Sequence, residues 1–136
     1  MEKGKKTMEG YTQKVLDSSR EFSKKEMLMY SDNNDAIALD KLSMEYKATG
    51  EQLVIVPLEY IVLAIHNDRN KGDKDYNQLI IVDENGNKYI TGSRSFTEAF
   101  INIWENMEGE SDWGIKVCRR ESKNYSGKDF LTCVVC

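Results

Sequence analysis

Along the second half of the chain the apolar positions follow two rhythms, and the changes between them mark out the elements. Leu53-Val54-Ile55-Val56 is a short β-rich run closed by Pro57, the only proline of the sequence. Tyr60-Ile61-Val62-Leu63-Ala64-Ile65-His66 is too continuously apolar for a strand with one wet face, so it predicts a strand covered on both sides. Residues 68–75 read as a polar loop and 76–82 as the next strand. Asp83-Glu84-Asn85-Gly86-Asn87 contains an Asn-Gly pair, a hairpin signal because both residues tolerate positive φ, and 88–91 returns as a third strand. Phe96, Ala99, Phe100, Ile103, Trp104 and Met107 then fall three and four apart, the apolar stripe of a helix over 96–107. Ser95-Phe96-Thr97-Glu98 predicts its capping box. The stripe reads as core, with Phe100 and Trp104 as plugs and not ligand contacts. Beyond it Trp113, Ile115 and Val117 alternate with Gly114, Lys116 and Cys118, and 130–135 alternates back after the polar turn 122–128.

Three strands, a helix and two further strands are the wiring of an OB-fold barrel, a small scaffold that binds oligonucleotides and oligosaccharides. The expected class is therefore mainly β with one helix (α+β). It is a five-stranded antiparallel OB-like barrel over residues 51–136, with the helix between strands 3 and 4. Residues 1–50 are expected to form an N-terminal arm, partly disordered or helical. Its first ten residues are polar, Val15, Phe22 and Met27 have helix-compatible spacing, and residues 40–46 suit a helical turn. The arm is expected to lie across the barrel or to mediate self-association as a homo-oligomer.

The chain has 136 residues, 40% hydrophobic and 31% charged, enough for one core that needs no disulfide. The first ten residues are charged, unlike a secretory leader, so a reducing cytoplasmic setting is expected, with Cys118, Cys133 and Cys136 as free thiols. No apolar run reaches bilayer-spanning length, so no membrane partner is expected.

Net charge is −4, which argues against a cationic coat for duplex DNA, yet the charge is uneven. Residues 1–50 carry 9 Lys and Arg against 9 Asp and Glu, whereas 51–136 carry 10 against 14. Within that acidic half, residues 116–128 hold Lys116, Arg119, Arg120, Lys123 and Lys128 against Glu121 alone. Binding a single strand requires cations for phosphates and flat exposed rings for bases. The last hairpin offers both, with Tyr125 between Lys123 and Lys128 at its turn. Tyr76 and Tyr89 are further candidate rings, although strand tyrosines often cap a core.

Catalysis finds no motif. His66, the only histidine, lies in the apolar run, and there is no phosphate loop, nucleophile elbow or paired-carboxylate signature. No enzyme activity, catalytic residue or cofactor is expected. Cys118 and Cys133 are placed to face each other across the hairpin, but without close-spaced ligand pairs no metal is expected either.

Ile65-His66-Asn67-Asp68, Asn85-Gly86-Asn87-Lys88-Tyr89-Ile90-Thr91-Gly92-Ser93 and Ser122-Lys123-Asn124-Tyr125-Ser126-Gly127-Lys128-Asp129-Phe130 resemble segments of small proteins of Gram-positive phages and mobile elements. The resemblance covers residues 36–136 and implies an OB-like fold, single-stranded DNA binding and a non-catalytic role in replication or recombination in the host cytoplasm. Glu121 departs from what it implies, since an uncharged residue suits a phosphate-facing hairpin better. A second reading keeps the fold but makes it a protein-interaction module, a phage inhibitor of a host nuclease or defence complex that mimics nucleic acid with its acids. RNA and oligosaccharide stay open as ligands.

Overall fold

Pro57 and the apolar run behind it organise the molecule. The computed structural model describes residues 10–31, 35–122 and 128–136. In chain order it contains β1 (Tyr11–Ser18), α1 (Lys24–Tyr30), β2 (Ile37–Ala38), α2 (Leu39–Thr49), β3 (Leu53–Ile55) and β4 (Pro57–Asn67). These are followed by β5 (Asp75–Asp83), β6 (Lys88–Thr91), α3 (Arg94–Met107), β7 (Ile115–Glu121) and β8 (Asp129–Val135). The fold is mixed α and β, mostly strands, with three helices among the described residues.

The strands form two sheets, a five-stranded one in the order β1-β4-β5-β6-β2 and a three-stranded one in the order β3-β7-β8. β4 is covered on both sides, as its composition requires. Ile61, Leu63 and Ile65 pack with Ile80 and Ile90, and Phe22, Met27 and Tyr30 lie against them. Tyr60 and Val62 point the other way, into a larger core with Leu79, Ile81, Phe96, Phe100, Ile115 and Leu131. Each fully buried aliphatic or aromatic side chain there contributes about 1.5–3 kcal/mol.

The sheets do not close into the expected barrel. Closure of the expected strands by the C-terminal hairpin requires a free edge on β4 or β6, and both are taken. β1 pairs antiparallel with β4 from Tyr11↔Asn67 to Ser18↔Ile61, and β2 pairs parallel with β6 through Ile37↔Tyr89 and Ala38↔Ile90. Both edge strands come from the segment expected as an arm, and residues 11–18 are extended, not helical. β3 leaves the main sheet at Pro57 and pairs instead with β7. The expected single helix is likewise joined by α1 and α2; Ser23 and Glu26 build a capping box on α1.

α3 begins at Arg94, and its cap is Ser93, whose side chain accepts from the Phe96 N–H. The predicted box at Ser95 is not formed. Ser95 Oγ donates to the Leu131 carbonyl at 2.7 Å, and Glu98 accepts from Arg94 Nε at 3.0 Å. The stripe faces the core as its spacing predicts: Phe96 and Phe100 are fully buried, and Trp104 packs edge-on against Tyr60 and Trp113. The β5–β6 turn is made differently from the Asn-Gly expectation. Only Gly86 takes a positive φ, of 84°, and the Asp83 carboxylate accepts from the Asn85 and Asn87 N–H groups at 2.9 and 2.8 Å.

Candidate nucleic-acid interface

The β7–β8 ladder runs without a break from Ile115↔Val135 to Glu121↔Asp129. Alternation therefore assigns every side chain of the ribbon to one of two faces. Ile115, Val117, Leu131 and Cys133 are buried in the main core, and the same parity carries Arg119, Glu121 and Asp129. The opposite parity places Lys116, Cys118, Arg120, Phe130, Thr132 and Val134 on the outer face, with Val54 of β3 beside Lys116. None of these outer residues carries a carboxylate, in a chain whose net charge is −4. Arg120 is exposed, and Phe130, its cross-strand neighbour, leaves 38% of its surface in solvent. A half-exposed ring beside a guanidinium gives a base a stacking plane and its phosphate a counter-charge.

The eight candidate residues separate. Lys116 and Arg120 share the outer face. Arg119 does not: its Nη2 donates to Asp129 at 2.9 Å and its Nη1 to Ser43 Oγ at 3.1 Å, tying the hairpin to α2. Lys47 reaches the same Asp129 carboxylate at 2.8 Å. Arg119 and Lys47 hold that carboxyl well below the usual carboxylate range. Tyr89 is buried, donates to Asp83 Oδ2 at 3.0 Å and has its pKa pushed up to about 12 by burial, so it offers no stacking surface. Tyr76 is half-buried against the smaller core, on the far side of the five-stranded sheet. Lys128 directly precedes β8, and its carbonyl accepts from the Ser122 N–H at 2.8 Å. Lys123 and Tyr125 lie outside the described residues.

Two further points follow from the register. Glu121 shares the parity of Arg119, so its charge does not fall between Arg120 and Phe130. Phe130 itself was missed by sequence reasoning, although its alternation with Leu131 and Cys133 was the signal that turns it outward. Cys118 and Cys133 do not face each other, because the ladder pairs Cys133 with Val117 and Cys118 with Thr132. Burial pushes the Cys133 thiol up to about 12.

A larger trough, about 1050 Å³, lies over the end of the five-stranded sheet beside the start of α3. Its charges are mostly matched internally. His66 Nδ1 lies 2.8 Å from Asp75 and Nε2 2.7 Å from Asp68, and Arg94 pairs with Glu98. Both imidazole nitrogens face carboxylates, which favours the cationic form, so the His66 pKa is raised, by Asp75 first and Asp68 second. Its role is to join the two ends of the β4–β5 loop.

Among the described residues no group of three or more His, Cys, Asp and Glu side chains is placed to hold a metal ion. No helix among them is long and apolar enough to cross a membrane. No family model, curated protein or solved structure matches the chain.

Proposed function

We propose that the protein binds single-stranded DNA without sequence preference on the outer face of the three-stranded sheet, as a cytoplasmic accessory to phage replication or recombination. The observation that carries the reading is the outer side of the three-stranded sheet, whose outward strand residues include no carboxylate and present Lys116, Arg120 and the half-exposed Phe130. Rings accept any base, and cations accept any phosphate, so this chemistry is sequence-tolerant. Lys123 and Tyr125, between β7 and β8 in the sequence, add a cation and a ring. The resemblance to small phage proteins points the same way. Fluorescence polarisation of a labelled oligothymidine across a salt series tests it. Affinity should fall as salt rises, with a log–log slope of about −0.7 per phosphate engaged. Undetectable binding at low salt would refute it.

One observation favours a second reading, an acidic module that occupies a partner's nucleic-acid channel. Glu105, Glu108, Glu110 and Asp112 are all exposed at the carbonyl end of α3, and the last turn of that helix has no basic residue. Negative charge there opposes the helix dipole, so these acids do not serve the stability of the helix. Neutralising them should abolish capture of a nucleic-acid-binding partner under this reading and leave oligonucleotide affinity unchanged or slightly higher under the first.

A further inference from the structure

We propose that the pocket between α2 and the free edge of β7 binds a phosphoryl group. It rests on the reading above for the source of the phosphate, a DNA strand, but not for the chemistry of the pocket.

The pocket exists because two strands differ in length. β3 pairs with Val117, Lys116 and Ile115 only, whereas β7 continues to Glu121, so from Cys118 onward β7 has no strand on that side. α2 lies across this edge and leaves a concavity of about 250 Å³. Lys47, Lys116 and Arg119 line it, and Glu51 is the one carboxylate among its lining residues. Lys47 and Arg119 share a single carboxylate, Asp129, at 2.8 and 2.9 Å. Three cations therefore line the pocket against one lining carboxylate, with Asp129 and Asp40 acting on Arg119 from behind it.

Its hydrogen bonding is also incomplete. Arg119 uses Nη1 and Nη2 on Ser43 and Asp129, but its Nε–H is buried without an acceptor among the described residues. A buried N–H left unpaired costs about 1–3 kcal/mol, and a charged one more. A phosphoryl group has several acceptor oxygens and matches the forked donors of a guanidinium, with Lys47 and Lys116 as point charges beside it. A small movement of Arg119 toward the pocket would give the Nε–H its missing acceptor. Tyr46 and Gln52 complete the wall with a ring and an amide, suited to the sugar or base next to that phosphate. Lys116 belongs both to this pocket and to the outer face, so a strand on the face has its neighbouring phosphate within reach of the pocket.

The test follows the arginine Nε–H signals of the full chain by NMR while inorganic phosphate is added. A saturable shift is expected at Arg119, larger than at the exposed Arg69. Lys47→Ala should weaken that binding about tenfold, the share of one charge-assisted contact. No shift at Arg119 beyond that at Arg69, or an unchanged affinity in both Lys47→Ala and Lys116→Ala, would overturn the proposal. Oligothymidines with and without a 5′-phosphate are then used as competitors. Stronger displacement by the phosphorylated one identifies a terminal phosphate, and equal displacement identifies the backbone; both support the pocket. If neither displaces bound phosphate, the pocket stands as a site for small phosphorylated molecules and a DNA strand is ruled out as the source of its phosphate, while binding on the outer face is decided by the polarisation titration.

Discussion

Arg120 and Phe130 stand directly opposite each other on β7 and β8, on the face of the three-stranded sheet turned away from the core. An exposed apolar ring on a sheet is not required by packing, and its neighbour is an exposed cation. Phe130→Ala should cost about 1–3 kcal/mol of oligonucleotide affinity with little salt dependence, since stacking is lost. Arg120→Ala should weaken binding to every sequence and flatten the salt slope by about 0.7. Both variants should melt close to the parent, which circular dichroism checks.

Tyr89→Phe separates core from interface. Removing the hydroxyl leaves Asp83 Oδ2 without the Tyr89 donor in a buried setting and should cost about 1–2 kcal/mol of stability in a urea titration. Oligonucleotide affinity should not change.

Phe100→Ala should cost about 3–5 kcal/mol, because the ring is fully buried between Tyr60, Phe96 and Trp104. A chemical denaturation curve measures it. A cost below about 1 kcal/mol would contradict its place at the centre of the main core.

Asp129 makes stability depend on acid. Its folded pKa is depressed by Arg119 and Lys47, so its contribution is present above the ordinary carboxylate pKa and is lost as pH falls below it. Melting temperatures of the parent and of Asp129→Asn should therefore differ at neutral pH and converge in acid.

His66 behaves with the opposite sign. Its folded pKa is raised, so the contribution is full at low pH and disappears as pH rises through the folded value. As the only histidine, it gives a single imidazole signal in an NMR titration. The midpoint should lie above about 6.5 and fall in Asp75→Asn.

The elements readable in the sequence were those whose own residues carry the pattern. The run 60–66 shows it by continuity, the stripe of α3 by its three-and-four spacing, and β7 and β8 by alternation. The edge strands do not. Tyr11 pairs with Asn67 and Ile37 with Tyr89, and nothing local in residues 11–18 or 37–38 announces those partners. Missing them is what turned two sheets into an expected barrel. Within the candidate site, charge counting found Lys116 and Arg120 but treated Arg119 alike. Parity separates Arg119 from Arg120, since it continues the inward series of Ile115 and Val117. The cap of α3 moved from Ser95 to Ser93 because both serines precede the stripe, and a hydrogen bond to the distant Leu131 carbonyl engages Ser95.

The most direct measurement for the DNA-binding face is a backbone amide NMR titration of the full chain with unlabelled oligothymidine. Shifts should concentrate at Lys116, Cys118, Arg120, Phe130 and Thr132, saturate together, and shrink in Phe130→Ala. Saturable binding whose shifts fall instead on Glu105, Glu108 and Asp112, or on His66 and Asn77, with β7 and β8 unmoved, would contradict the assignment of the three-stranded sheet as the DNA-binding face.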